Sequence, residues 1–287
     1  MVVMMQPLQL SAGGFAVVLG TNEIASAVAV HLHREGCCVV MSHDPFPPVI
    51  RRKMAFHDAL YGDEVTVEGV RGERVDHATQ IFKALRRSDN VLVSWLALPD
   101  LLPIGAVDVL IDARMQKHRV TPDLRGLARI SVGLGPGFST AVNCDVAIET
   151  RPGRSGLIVG AGWTDAADGV ASPLGGVGAE RFEYSQASGR WRTAVEIGSR
   201  VFSGFTIGHL GGVPVRAPCD GILRGVVRDG QDVPQGVKLL EVDSRGRHAQ
   251  WTGIDDRGRG IAKAVLRAVQ PQAEIRTSYA AQPIAVF

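Results

Sequence analysis

The sequence predicts an α/β protein, with an open, Rossmann-like, mostly parallel sheet in residues 1–150 and a β-rich half in residues 151–287. Three observations carry that reading. The first half alternates short continuous apolar runs with helical patterns, as strands covered on both faces and joined by crossover helices require. The texture changes near residue 150 to dense glycine and short strand-like runs. The second half also matches part of itself at a fixed offset. A chain of 287 residues, 45% apolar and 21% charged, is long enough for two such units.

"FAVVL" (15–19) reads as a buried first strand, broken by Gly20. Ile24, Val28 and Leu32 then mark one face of a helix, which Gly36 ends. "CCVVM" (37–41) is the second buried strand and sends Cys37 and Cys38 to opposite faces. This βαβ opening sets the two strands parallel. "EVTVEGV" (64–70) alternates as a half-exposed edge strand does, and "HATQIFKALRR" (77–87) reads as a short amphipathic helix. "VLVSWLA" (91–97), "DVLIDA" (108–113) and "ARISVGL" (128–134) are further buried strands. Glycine is dense over 153–178, short strands run to 243, and "GIAKAVLRAV" (260–269) is a closing helix of the second half.

Residues 187–210 align without gaps on 219–242, an offset of 32 residues. Gly189 meets Gly221, Gly198 meets Gly230, Gly204 meets Gly236, Trp191 meets Leu223, Val201 meets Val233, Ile207 meets Leu239 and Leu210 meets Val242. Two such units facing each other form a barrel-sandwich pseudo-repeat (187–243) of the biotinyl/lipoyl type. In carrier domains the modified lysine sits where the halves join. Here that junction is "GGVPVRAP" (211–218), and no lysine occurs between Lys117 and Lys238. Without an amine there is no amide-linked biotin or lipoate, and the sandwich reads as a docking or lid element.

The net charge of +2 gives no broad footprint for nucleic acid. Cys37, Cys38, Cys144 and Cys219 lack metal-ligand spacing and read as reduced thiols of a cytoplasmic protein. "MVVMMQPLQL" has no basic leader segment, and no apolar run approaches a membrane span. The scattered histidines, His118 among them, form no metal or hydrolase motif. Homo-oligomerisation stays open.

Three stretches are placed to hold a ligand. Gly20, Asn22 and Ala25 stand where a dinucleotide turn has its glycines, at a strand-to-helix corner. "GLGPGFST" (133–140) follows a strand, so Gly133, Gly135 and Gly137 free the backbone to aim amides at an anion, with Ser139 adding a hydroxyl. Asp112 and Arg114 end another strand on one side, an arrangement for holding phosphate or for a structural ion pair. Arg51, Arg52 and Lys53 form a basic turn, either solvated or facing an acidic ligand.

Several blocks resemble one family in the same order: "PPVIRRKMAFHDALYGDEVTVEGV" (47–70), "DVLIDARM" (108–115), "ISVGLGPGFSTAVNCDVAIET" (130–150), "GGVPVRAPCDGILRGVVRDGQDVPQGVKLLEVD" (211–243) and "IDDRGRGIAKAVLRAV" (254–269). They are similar to the YqeB-type accessory proteins of the selenium-dependent molybdenum hydroxylase system, over nearly the whole chain. The resemblance implies a cytoplasmic maturation factor for a xanthine dehydrogenase-type client enzyme. It would bind an anionic ligand such as the molybdenum cofactor or a nucleotide, through Gly135, Gly137 and Ser139 with charge from Arg114 and Arg51. One departure stands out. The family's first turn has three glycines and an aspartate, where this chain has Gly20, Thr21, Asn22 and Glu23, and Ala27 replaces a later glycine. Two alternatives stay open: an NAD(P)-dependent oxidoreductase built on the first βαβ unit, and a ligand-free docking scaffold.

Overall fold

The computed structural model describes residues 14–85, 89–117 and 121–270. The amino-terminal stretch, His118 and the last two residues of the 77–87 helix reading lie outside them. β1 (Phe15–Leu19) is five buried residues, followed by α1 (Glu23–Arg34) and β2 (Cys38–Ser42). Next come β3 (Val65–Val67), β4 (Val70–Arg74), α2 (Ala78–Ala84), β5 (Val91–Ser94), α3 (Leu98–Leu101), β6 (Val109–Asp112), β7 (Ile130–Leu134), β8 (Val146–Ile148) and β9 (Ile158–Val159). They form one sheet in the order β3-β4-β5-β2-β1-β6-β7-β8-β9. The strands from β4 through β8 in that order are parallel, with β3 and β9 antiparallel at the edges. From β1 the chain passes through β2 to the far edge at β3, returns through β4 to β5 beside β2, then crosses to β6 on the other side of β1, which is Rossmann-like winding.

Alternation along the strands divides the core. Ala16, Val18, Cys37, Val39 and Met41 pack with α1, while Phe15, Val17, Leu19, Cys38 and Val40 pack on the other face with Ile81 and Leu101. The adjacent cysteines thus face opposite ways. "EVTVEGV" is two strands rather than one, because Glu68 and Gly69 both take positive φ and turn the chain.

The remaining strands are β10 (Phe182–Tyr184), β11 (Gly189–Arg192), β12 (Arg200–Val201), β13 (Thr206–Leu210), β14 (Val213–Arg216), β15 (Gly221–Val226), β16 (Asp232–Val233) and β17 (Lys238–Asp243). They make two four-stranded sheets, β10-β17-β15-β12 and β14-β13-β11-β16, joined in these pairs by antiparallel ladders. Trp191, Val201, Ile207, Leu210, Leu223, Val233, Leu239 and Val242 share one core, and buried Trp191 donates its indole N–H to Val227 O at 3.0 Å.

The closing helix, α4 (Asp256–Val269), starts earlier than its sequence pattern indicated, with Asp255 accepting from Gly258 N at 2.8 Å. It lies on the large sheet rather than with the second half. Ile261, Ala262, Ala264, Val265 and Val269 enter the same core as α1. At the crossing, a β-carbon on Gly258 would come 3.2 Å from the Ala27 methyl, so the glycine lets the helices touch. β9 belongs to the large sheet too, so the division at residue 150 follows the change in texture and not the packing.

Buried ions fasten the two parts. Arg51 donates to Glu241 through Nε (2.7 Å) and Nη2 (3.1 Å), and to Glu23 through Nη1 (2.7 Å). Arg52 Nε donates to Val226 O and Lys53 Nζ to Ile197 O. The basic turn is therefore not an open ligand surface: Arg51 and Arg52 are largely buried, Lys53 stays exposed, and all three side chains grip the β-rich part. Val226 N also donates to Ile50 O at 2.8 Å, an approach that bare Gly225 permits. Fully buried Glu241 accepts from Arg181 as well, and Arg224 lies 3.7 Å away.

Burial on its own would raise the Glu241 carboxyl. The charges of Arg51 and Arg224, with hydrogen bonds from Arg51 and Arg181, outweigh it and hold the group at about 2. Its folded value is depressed, so its contribution to stability is complete above the unfolded value, 4.5, and is lost as pH falls toward 2. We expect Glu241→Gln to lower the unfolding free energy by about 3–5 kcal/mol, because it leaves guanidinium charge buried and unmatched. Denaturant titrations at neutral pH and at acid pH check this, since the loss relative to wild type should shrink on acidification.

Candidate functional site

In an open α/β sheet, ligands bind outside the carboxyl ends of the strands, where the winding reverses. Here that place lies between β1 and β6. Gly20 follows β1 with φ +105°, and a β-carbon on it would meet Ala113 O at 3.0 Å. Asn22 caps α1: its Oδ1 accepts from Ile24 N (2.9 Å) and Ala25 N (3.0 Å), while its Nδ2 donates to Ala113 O (2.7 Å). Those are amides a pyrophosphate would use. The carboxamide occupies the helix end and ties it to the end of β6, so the turn keeps its shape with those two amides already engaged.

The second expectation, an open anion nest after β7, is corrected by the hydrogen bonds. Gly135 N donates to Ile148 O, Phe138 N to Thr164 Oγ1 and Ser139 N to Asn143 Oδ1. The Phe138 ring folds onto the bare α-carbon of Gly133, and Ser139 is buried. Gly135 and Gly137 do take positive φ, but for a tight loop whose carbonyl at Gly137 is held by Asn143 Nδ2 at 2.8 Å. The third expectation resolves as an ion pair. Arg114 Nε donates to both oxygens of Asp112, at 3.0 and 3.1 Å, and its Nη1 lies 3.8 Å from Asp44. Gln116 donates to Asp44 at 2.6 Å.

Next to this pair is a cluster that the sequence reading did not assemble. Thr21 Oγ1 lies 2.9 Å from His57 Nδ1 and 3.4 Å from His43 Nδ1. His43 meets Trp95 at 4.6 Å between ring centres, and His57 and Trp95 both meet Tyr61. These groups follow β1, β2 and β5, with His57 and Tyr61 added from the turn beyond the basic segment. Trp95 stays 43% exposed although it directly follows a buried strand. One hydroxyl hydrogen serves two imidazoles. With His57 Nδ1–H donating to Thr21 and Thr21 donating to His43, both contacts are satisfied and His57 Nε2 is left as a buried acceptor without a partner.

No family model matches the chain. A curated relative, the uncharacterized protein YqeB of Escherichia coli (strain K12), is 32% identical over 270 residues, 93% of this chain. The chain belongs to the YqeB-type family. It spans 49% of the length of that relative. Among solved structures, a short-chain dehydrogenase/reductase from Serratia marcescens matches 47% of this chain and 58% of its own, at 15% identity and TM-score 0.21. The apo ectoine utilization protein EutE (DoeB) from Ruegeria pomeroyi matches 80% and 86%, at 14% identity and TM-score 0.27. At those scores neither likeness bears on the site.

In this YqeB-type chain the edge of the parallel sheet therefore gathers Gly20, Asn22, Asp112 and Arg114, with Thr21, His43 and Trp95 beside them. Gly133, Gly137 and Ser139 serve a closed loop, and Arg51 serves the seam. Among the described residues, no group of three or more His, Cys, Asp or Glu is placed to hold a metal, and no helix is long and apolar enough to cross a membrane. Burial first, then the charges of His43, Arg52 and Arg228, push His57 down to about 3. Burial also lowers His43 against the pull of Asp44. We expect the His57 ring resonances, followed by NMR, to show no inflection between pH 5 and 8. Thr21→Val should change the His43 titration, because it removes the shared hydroxyl.

Proposed function

We propose that this chain is a cytoplasmic accessory protein in the maturation of a xanthine dehydrogenase-type molybdenum hydroxylase, and that it holds an anionic ligand while docked on the client enzyme. The YqeB kinship supports the pathway. The observation that carries the docking role is the grip of largely buried Arg51 and Arg52, with exposed Lys53 beside them, on the β-rich part. A swinging carrier needs a mobile domain with a modifiable amine. This chain has a fixed one whose 211–218 junction lacks lysine.

The barrel-sandwich reading of 187–243 has its own support. Gly198 and Gly230 both take positive φ, as do Gly204 and Gly236, at positions paired by the 32-residue offset. Each small sheet also combines strands from both halves of the repeat. An NAD(P)-dependent oxidoreductase is the weaker reading, because the Asn22 carboxamide stands where the pyrophosphate would.

Cells lacking the protein should contain normal amounts of the client hydroxylase polypeptide with most of its activity and molybdenum content missing. Expression of the chain should restore both. Client activity and metal content unaffected by the deletion overturn the proposal.

A further inference from the structure

The cations around Arg51 are not all in ion pairs: Glu23, Asp255 and Glu149 act on Arg257 only from beyond 4 Å. Arg51 and Arg181 are matched by Glu241, with Glu23 also on Arg51. Two partly buried cations nearby have no carboxylate within 4 Å among the described residues. Lys238 Nζ sits 3.5 Å from the centre of the Phe182 ring, whose centre is 4.2 Å from the Arg181 guanidinium. Arg257 donates through Nε (3.1 Å) and Nη2 (3.0 Å) to one backbone oxygen, Thr150 O. Exposed Lys117, without an ion pair among the described residues, adds its charge at Lys238, and Arg51 acts on both Lys238 and Arg257.

These groups share a location. Glu23 opens α1 after β1, Lys117 follows β6 and Thr150 follows β8, so they lie along the carboxyl edge of the parallel strands. Arg257 on α4 reaches that edge at Thr150, and Lys238 on β17 lies near enough for the charges of Arg51 and Lys117 to act on it. A partly buried cation without a counter-ion is costly, and both an ammonium and a guanidinium keep unmet donors for charged oxygens.

We propose that Lys238, Arg257 and Lys117, grouped around Arg51, bind a phosphoryl group, supplied by free phosphate or by a phosphate ester. This relocates the anionic ligand of the proposed function from the 133–140 loop to the seam. It rests on that reading for the ligand's identity alone. Several cations favour a dianion over a single carboxylate, and the phosphoryl oxygens suit the fork of Arg257 together with the point charge of Lys238.

Burial first, then the charge of Arg51, with Lys117 and Arg181 adding to it against Glu241, lowers the Lys238 amine to about 8, so its reactivity reports on occupancy. The test is limited amine acylation of the full chain in phosphate-free buffer, read lysine by lysine by mass mapping. The five lysines make the map unambiguous. Inorganic phosphate, or adenosine monophosphate as an ester, should slow labelling of Lys238 severalfold and leave exposed Lys83 and Lys263 unchanged. Protection by the ester alone assigns the site to an esterified ligand. Protection by both assigns it to the phosphoryl group itself.

Arg257→Gln should raise the half-protecting concentration about tenfold. Equal slowing by chloride at matched ionic strength, or no protection by either phosphate, overturns the site. The wild-type measurement stands even if the variant does not fold. Client activation in cells that persists despite absent protection removes this site while leaving the accessory role intact.

Discussion

Everything else in the molecule depends on one carboxylate kept ionised away from water. Glu241 sits on a central strand of the small sheet β10-β17-β15-β12, and its charge is tolerable there because arginines from both parts of the chain surround it. A buried charge with its partners in place is a strict geometric specification, since shifting any one group strands the rest. That fixes the angle at which the β-rich part meets the large sheet. It also decides which residues end up over the carboxyl edge.

The large sheet could be read from the sequence because its strands are buried on both faces. Continuous apolar runs such as "FAVVL" have few other uses, and the alternation that sends Cys37 and Cys38 to opposite sides is a property of any strand. The boundary at residue 150 was less legible. Glycine density marks a change in local chain geometry, whereas α4 joins the first core through Ile261 and Val265, contacts that no local pattern announces. Residues 64–70 were misjudged as one strand for a related reason: Glu68 adopts a left-handed turn conformation that its residue type does not advertise.

The site was legible in place more than in chemistry. Sequence reasoning pointed to the ends of the right strands, but residue types at a strand end do not reveal whether their polar groups are already satisfied. Asn22 looked like a poor glycine and acts as a cap. Gly133 freed the chain for a ring instead of an anion. The basic turn was visible, but its partners are distant in sequence and could not be. The same holds for Thr21, His43 and His57. A histidine directly after a buried strand, and a second one four residues before a tyrosine, were the faint signals available.

The contact between Ala27 and Gly258 has a consequence for how the chain is made. The inner face of α1 is covered by a helix that emerges from the ribosome more than two hundred residues later. Until then, one side of the first βαβ unit has nothing to close it. The nascent protein therefore carries an open greasy flank through most of its synthesis, and a chain cut short before α4 would resemble a client for a chaperone more than a stable half-protein.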